Sequence, residues 1–216
     1  MTRHVPGAAR ALRAAAVLVA ATLALAACGG EEPPTTKPTV TLPTGNVNVP
    51  EGVTLTKAGT ELEFGEAATV AYEPNAERNT VLEMTVVGVQ QGTIADLGSY
   101  VLDDRTKASI PYYVTVMVKN VGDGDVGQTP IPLWAVDATD TLIQASSFTN
   151  SFPKCASTPL PTTFAPNATT TTCLVYLVPN AGKLTGLSYR PLQAVAPIVW
   201  TGTVTPPAKT KKKKSS

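Results

Sequence analysis

The chain has 216 residues, with 17 Lys and Arg against 16 Asp and Glu, and a single histidine, His4. That histidine lies in the leader described below, so the processed chain has none, which excludes Ser-His-Asp and Cys-His catalysis and histidine metal sites. Pro (19) and Gly (16) are frequent and Thr and Val abundant, a composition that favours strands over helices because branching at Cβ suits a pleated surface.

In chain order, residues 1–13 carry Arg3, Arg10 and Arg13 and no acid, and residues 14–27 are uncharged and apolar. These are the n-region and h-region of an export signal, the apolar run being shorter than the roughly 20 residues a membrane-spanning helix needs. Leu25-Ala26-Ala27-Cys28 followed by Gly29-Gly30 resembles the lipobox of bacterial lipoproteins position for position. The resemblance implies cleavage before Cys28, diacylglycerol on its thiol, and a protein held by lipid to the outer face of the cytoplasmic membrane. The alternative is an ordinary secretory signal with a chance cysteine after its cleavage site.

Cleavage leaves 16 acids against 14 Lys and Arg, a formal net charge of about −2, and five of those lysines sit in the last eight residues. The body is therefore acidic, the reverse of a nucleic-acid-binding face, and that class is excluded. Cys155 and Cys173 remain as an even pair in an oxidising compartment, which predicts one disulfide. Their spacing matches no recognised metal site.

Residues 28–54 read as a Pro/Thr-rich linker, in which proline fixes φ and extends the chain. Residues 55–204 read as one folded domain. Strands are expected at 61–64, 68–72, 81–89, 112–119, 133–136, 142–143, 173–178, 187–189 and 198–204. The stretch 112–119 alternates best, with Tyr112, Val114, Val116 and Val118 opposed to Tyr113, Thr115, Met117 and Lys119. Residues 173–178, CLVYLV, are apolar on both faces, which predicts the most central strand. Asn120 to Asp125 ends its strand with turn chemistry, and 94–111 leaves room for a loop or a turn of helix. About seven to nine antiparallel strands in some 150 residues predict an all-β sandwich.

Phe64-Gly65-Glu66, then residues 111–122 (PYYVTVMVKNVG), resemble the immunoglobulin-like extracellular domain of Gram-positive lipoproteins of unknown function. Residues 173–179 (CLVYLVP) and 198–202 (IVWTG) are similar to an actinobacterial branch of that group. The resemblance covers roughly residues 60–202. It implies an immunoglobulin-like sandwich and supplies neither an activity nor site residues. Cys155 and Cys173 are too close in sequence for the inter-sheet disulfide of antibody domains, and no tyrosine stands two residues before Cys173.

No G-x-S-x-G run and no phosphate-cradling glycine loop is present, so neither an enzyme nor a cofactor is expected. Paired acids occur at Asp103-Asp104, Asp123 with Asp125, and Asp137 with Asp140. The middle pair lies in a tight turn lacking the further ligands a calcium loop requires, so turn chemistry is the simpler reading. The surface most suited to binding is the loop around the disulfide, where Phe148, Phe152 and Phe164 stand among small and polar residues. The competing reading packs those rings as a small satellite core. Residues 205–216 form a polybasic tail after Pro206-Pro207, either a solubilising end or a contact with anionic lipid or wall polymer. The expected function is a lipid-anchored binding module at the cell envelope, engaging another protein or a wall polymer. A structural or assembly role in an envelope complex is the alternative.

Overall fold

Alternating β-branched and polar residues build strands wherever one face of the chain can be buried, and ten of them form here: β1 (Glu61–Glu63), β2 (Ala67–Asn75), β3 (Arg78–Gln91), β4 (Ile110–Asn120), β5 (Trp134–Asp137), β6 (Leu142–Ile143), β7 (Thr169–Val178), β8 (Leu184–Tyr189), β9 (Ile198–Thr201) and β10 (Val204–Thr205). The computed structural model describes residues 45–150 and 152–207, all within the unit Pro38–Ser216. The leader, Cys28, the first part of the linker and the tail lysines lie outside the described residues.

The fold is an all-β sandwich. One sheet runs β1-β9-β8-β5-β6, and the other runs β10-β3-β4-β7 with β2 also on β3. Strands β3, β4 and β7 facing β9, β8, β5 and β6 reproduce the A-B-E and G-F-C-C′ order of an immunoglobulin-like sandwich. The pairing is not wholly antiparallel: β1 joins β9, and β10 joins β3, in parallel. The expected strand at 198–204 is broken between β9 and β10, and the two halves belong to different sheets. A Cβ at Gly202 would stand 2.5 Å from the Phe64 ring, so any other residue at this crossing would have to displace that ring.

The inward rows of both sheets meet in one core that includes Leu82, Met84, Val114, Val116, Tyr176, Leu187 and Trp200. Three polar tips bolt the sheets together across it. The Tyr176 hydroxyl donates to the Leu133 carbonyl (2.8 Å), the Trp200 Nε1 donates to the Glu66 carbonyl (3.0 Å), and the Tyr189 hydroxyl donates to the Ala71 carbonyl. A buried aromatic with a satisfied polar tip adds direction to otherwise non-directional burial.

Two expectations need correction. Strand β7, which contains the run CLVYLV, is not central but an edge strand, paired along its length with β4 alone. It is apolar on both faces because Leu174, Tyr176 and Val178 enter the sandwich core while Cys173, Val175 and Leu177 lie under a second, outer cluster. The linker expected over 28–54 also ends sooner. Val47 is buried, and with Val49, Val53 and Leu55 it covers Ala71 and Val81 on the outer face of the β2-β3 hairpin. Asn46 Nδ2 donates to Glu73 (3.0 Å) and Asn48 Nδ2 to Asp123 (3.0 Å), which fixes this segment. The valines spaced at 47, 49 and 53 have the period of a packed extended chain, a signal that the prolines around them obscured.

Candidate functional site

Between β3 and β4 the chain makes an excursion, with a 3-10 turn at Ile94–Leu97 and the one-turn helix α1 (Asp104–Lys107). Thr93 and Asp96 form a reciprocal capping box on the 3-10 turn, and the Asp103 carboxylate accepts from the Thr106 N–H (2.7 Å) at the head of α1. Capping of this kind lets very short helices persist. The excursion folds over the outer face of β4 and β7, where Leu97 is fully buried.

The segment between β6 and β7 reaches the same place from the other side. Phe152 is buried against Leu97, Tyr113, Cys155 and Val175, with Phe148 and Tyr100 partly buried beside it. The rings of Phe148 and Phe152 stack with centroids 5.2 Å apart, and Tyr113 meets Phe152 at 5.8 Å. Phe164 belongs elsewhere: at 1% exposure it sits in the core between the sheets. The three phenylalanines of the expected binding loop therefore do not form one face, and Phe152 and Phe164 are not free anchors. The reading of a satellite core describes Phe148 and Phe152. Aromatic rings next to a disulfide bury more readily than they stay wet, because each removes a large apolar area from water.

Cys155 and Cys173 are joined, with Cα atoms 5.0 Å apart. The bond lies on the outer face of one sheet and does not cross the sandwich. Next to it the free edge of β7 is closed by side-chain and backbone bonds. Ser146 N–H donates to the Val175 carbonyl (2.7 Å), Val175 N–H donates to the Ser157 hydroxyl (3.0 Å), and Ser157 N–H donates to the Cys173 carbonyl (2.8 Å). The Ser157 hydroxyl in turn donates to the Ser146 carbonyl. An open strand edge invites pairing with another chain, and here the stapled loop occupies it.

Beside this cluster lies a groove of about 810 Å³. Its floor is the end of β3 (Gly88 to Gln91) with Tyr113, Thr115 and Cys173, and the root of the tail, Thr205 and Pro207, forms the far bank. Asp96 and Lys154 make the near rim. Asp96 accepts from Tyr113 Oη (2.9 Å) and from the Thr93 N–H (3.1 Å), and it pairs with Lys154. Burial pushes the Asp96 carboxyl up, but the Lys154 ammonium, the Thr93 N–H and the Tyr113 hydroxyl together outweigh it and hold it below the ordinary carboxylate range. Burial first, and then the bond to Asp96, pushes the Tyr113 phenol well up, so it stays a donor.

The groove thus offers amides (Gln90, Gln91), hydroxyls (Thr93, Thr115) and a neutralised ion pair, with the disulfide behind them. Such a lining can donate and accept hydrogen bonds. Among these residues the sequence marked only the disulfide and the polar row of β4. The signal that was available is Tyr113: a wholly solvated row has little use for a large aromatic next to an already buried Tyr112.

The acid pairs serve the backbone. Asp125 accepts from the N–H groups of Gly127 and Phe164 (both 2.8 Å), and these bonds hold its carboxyl low. Asp137 accepts from the Thr139 hydroxyl (2.7 Å) and the Thr141 N–H (2.9 Å), which closes the β5-β6 hairpin and lowers its pKa. Asp104 pairs with Lys107 on the surface. No group of three or more His, Cys, Asp or Glu that could hold a metal occurs among the described residues.

Comparison with protein-family models, with curated proteins and with solved structures found no match in any of the three.

Proposed function

We propose that the protein is a lipid-anchored, extracytoplasmic binding module of a bacterial cell envelope, tethered through Cys28 and engaging a hydroxyl-rich wall polymer through the groove beside Asp96, Gln90 and Gln91. The observation that carries this reading is the construction of the groove wall. Two irregular excursions from different parts of the chain, one capped at Thr93 and Asp103 and the other stapled by Cys155–Cys173, are tied together by the Asp96–Lys154 pair and anchored to β4 through Tyr113. The arrangement buries a small cluster on an outer face and, by fixing both excursions, also pre-organises the wall of the groove for a ligand. No step of chemistry is assigned to it.

The test has two arms. Metabolic labelling with a fatty-acid probe should mark the wild-type protein and fail to mark Cys28→Ala, which should be shed or left unprocessed; label that survives the substitution ends the anchoring claim. Co-sedimentation of the protein with purified cell wall should fall in Gln90→Ala/Gln91→Ala, which removes two amides from the groove lining. Unchanged retention by the wall sinks the groove as the contact.

A second reading, an accessory subunit of an envelope complex, is favoured by one observation. Val87 is 52% exposed and Met117 38% exposed, close to the groove on the outer face of β3 and β4. A protein partner covering both would protect them, and Met117→Lys should then disrupt a cross-linked complex while leaving wall retention intact.

A further inference from the structure

The other sheet carries an outer face of a different kind. Along β8, Leu187 and Tyr189 point into the sandwich, so Gly186, Ser188 and, just past the strand, Arg190 make up the outward row. Gly186 has no side chain and Ser188 a short one, which leaves a trough between the taller neighbours on β5 and β9. Register places Val136 opposite Gly186, and Trp134 and Val199 on either side of Ser188. The trough encloses about 460 Å³, within the range of small-ligand sites.

Two residues that line this trough each carry a buried polar atom without a hydrogen-bond partner, and these are the only such side-chain atoms among the described residues: Ser188 Oγ and Arg190 Nε. Ser188 is 1% exposed. Buried hydroxyls and guanidinium nitrogens are almost always bonded, so two failures on alternate residues of one row, both lining one cavity, call for a common cause. Nor is the guanidinium charge answered: neither ion pair among the described residues involves Arg190. Glu73, the carboxylate that shares Arg190's other cavity, is held by the backbone and side chain of Asn46.

We infer that this trough is a second ligand site, for a small carboxylate with a short apolar body. The planar guanidinium presents Nε and a terminal nitrogen as parallel donors that match the two oxygens of a carboxylate. The Ser188 hydroxyl beside it supplies a further donor. Val136, Leu142, Pro197 and Val199 line the apolar part of the trough, and Thr185, Thr201 and the Asp140 carboxylate, which makes no ion pair with Arg190, complete it; an apolar body lies against the first four in a way that an inorganic anion does not. The site is separate from the groove proposed above, which lies on the opposite sheet, and stands or falls independently of it.

The test is a titration of the full chain in nonionic detergent, followed by backbone amide shifts. The probes are acetyl-valine, acetyl-valinamide and inorganic phosphate. Acetyl-valine should saturate, with the largest shifts at residues 186, 188, 190 and 199, and the amide should bind about tenfold more weakly or worse because it cannot take both guanidinium donors. Arg190→Lys should weaken acetyl-valine about tenfold, since a single ammonium replaces the fork. Ser188→Ala separates the site from a merely structural defect: it should raise the thermal midpoint, by removing an unsatisfied buried hydroxyl, and also weaken acetyl-valine. Amide and acid binding alike, phosphate saturating ahead of acetyl-valine, or a Ser188→Ala chain that keeps full affinity would each overturn the inference.

Discussion

The two outer faces of the sandwich solve the same problem differently. The β3-β4-β7 sheet is covered at both ends by irregular chain: residues 47–55 at one, and the capped and stapled excursions at the other. The β5-β8-β9 sheet keeps a bare trough with small residues in its floor. Covering a face with irregular segments adds apolar burial but must overcome the entropy of ordering backbone that has no ladder to hold it. The disulfide, the Thr93–Asp96 capping box and the ring stack are what offset that entropy here. A bare face needs no such devices, only side chains that tolerate water, and it stays open to ligand.

The contrast can be broken at the phenylalanines, where the largest effects are expected. Phe164 is part of the inter-sheet core, so Phe164→Ala should cost about 3–5 kcal/mol in denaturant unfolding. Phe152 is equally buried but sits under loops that can collapse into the space, so Phe152→Ala should cost less, about 2–3 kcal/mol. Phe148, only partly buried, should cost about 1 kcal/mol. Equal losses at all three positions would show that the satellite cluster is as firmly built as the main core, and the contrast between faces would fail.

Removing the staple comes next. Opening the Cys155–Cys173 bond, 18 residues apart in sequence, should cost about 3 kcal/mol by chain entropy. Its local signature is sharper than its total. With Cys155→Ser/Cys173→Ser, amide exchange should speed up at Ser146, Ser157 and Val175, the residues that close the edge of β7, before it does so in β8. Uniform acceleration across both sheets would mean that the staple holds the whole sandwich and not one covered face.

Most of the sandwich was legible in the sequence because a period of two needs only a burial difference between faces, and 112–119 or 81–89 supply one. The disulfide was legible from compartment and cysteine count. One inference that misled was that a run apolar on both faces is central. In β7 the second apolar face is explained by the excursions that cover it, and those have no periodicity to announce them. Phe148, Phe152 and Phe164 looked like one cluster because they are near in sequence, yet Phe164 follows three prolines that carry the chain round to the sandwich core. The groove lining and the Arg190 trough are assembled from strands distant in sequence, so no spacing rule could have found them.

The smallest effect tests the groove rim itself. Asp96 titrates below the ordinary carboxylate value of about 3.9, so the carboxylate is favoured by the fold. Its contribution to stability is complete above that unfolded-state value and is lost only as pH falls through the lowered folded-state value. Tyr113, whose pKa is raised, remains protonated throughout this range and keeps its bond as long as Asp96 is ionised. Between pH 7 and about pH 5 the rim should therefore not change, and below about pH 4 it should loosen. The expected observation is a shift of the Tyr113 ring resonances confined to the acid limb, absent in Asp96→Asn, with a stability change within about 1 kcal/mol because Lys154 is half in water. A Tyr113 shift already complete at pH 6 would place its cause in some other group and remove Asp96 from the wall of the groove.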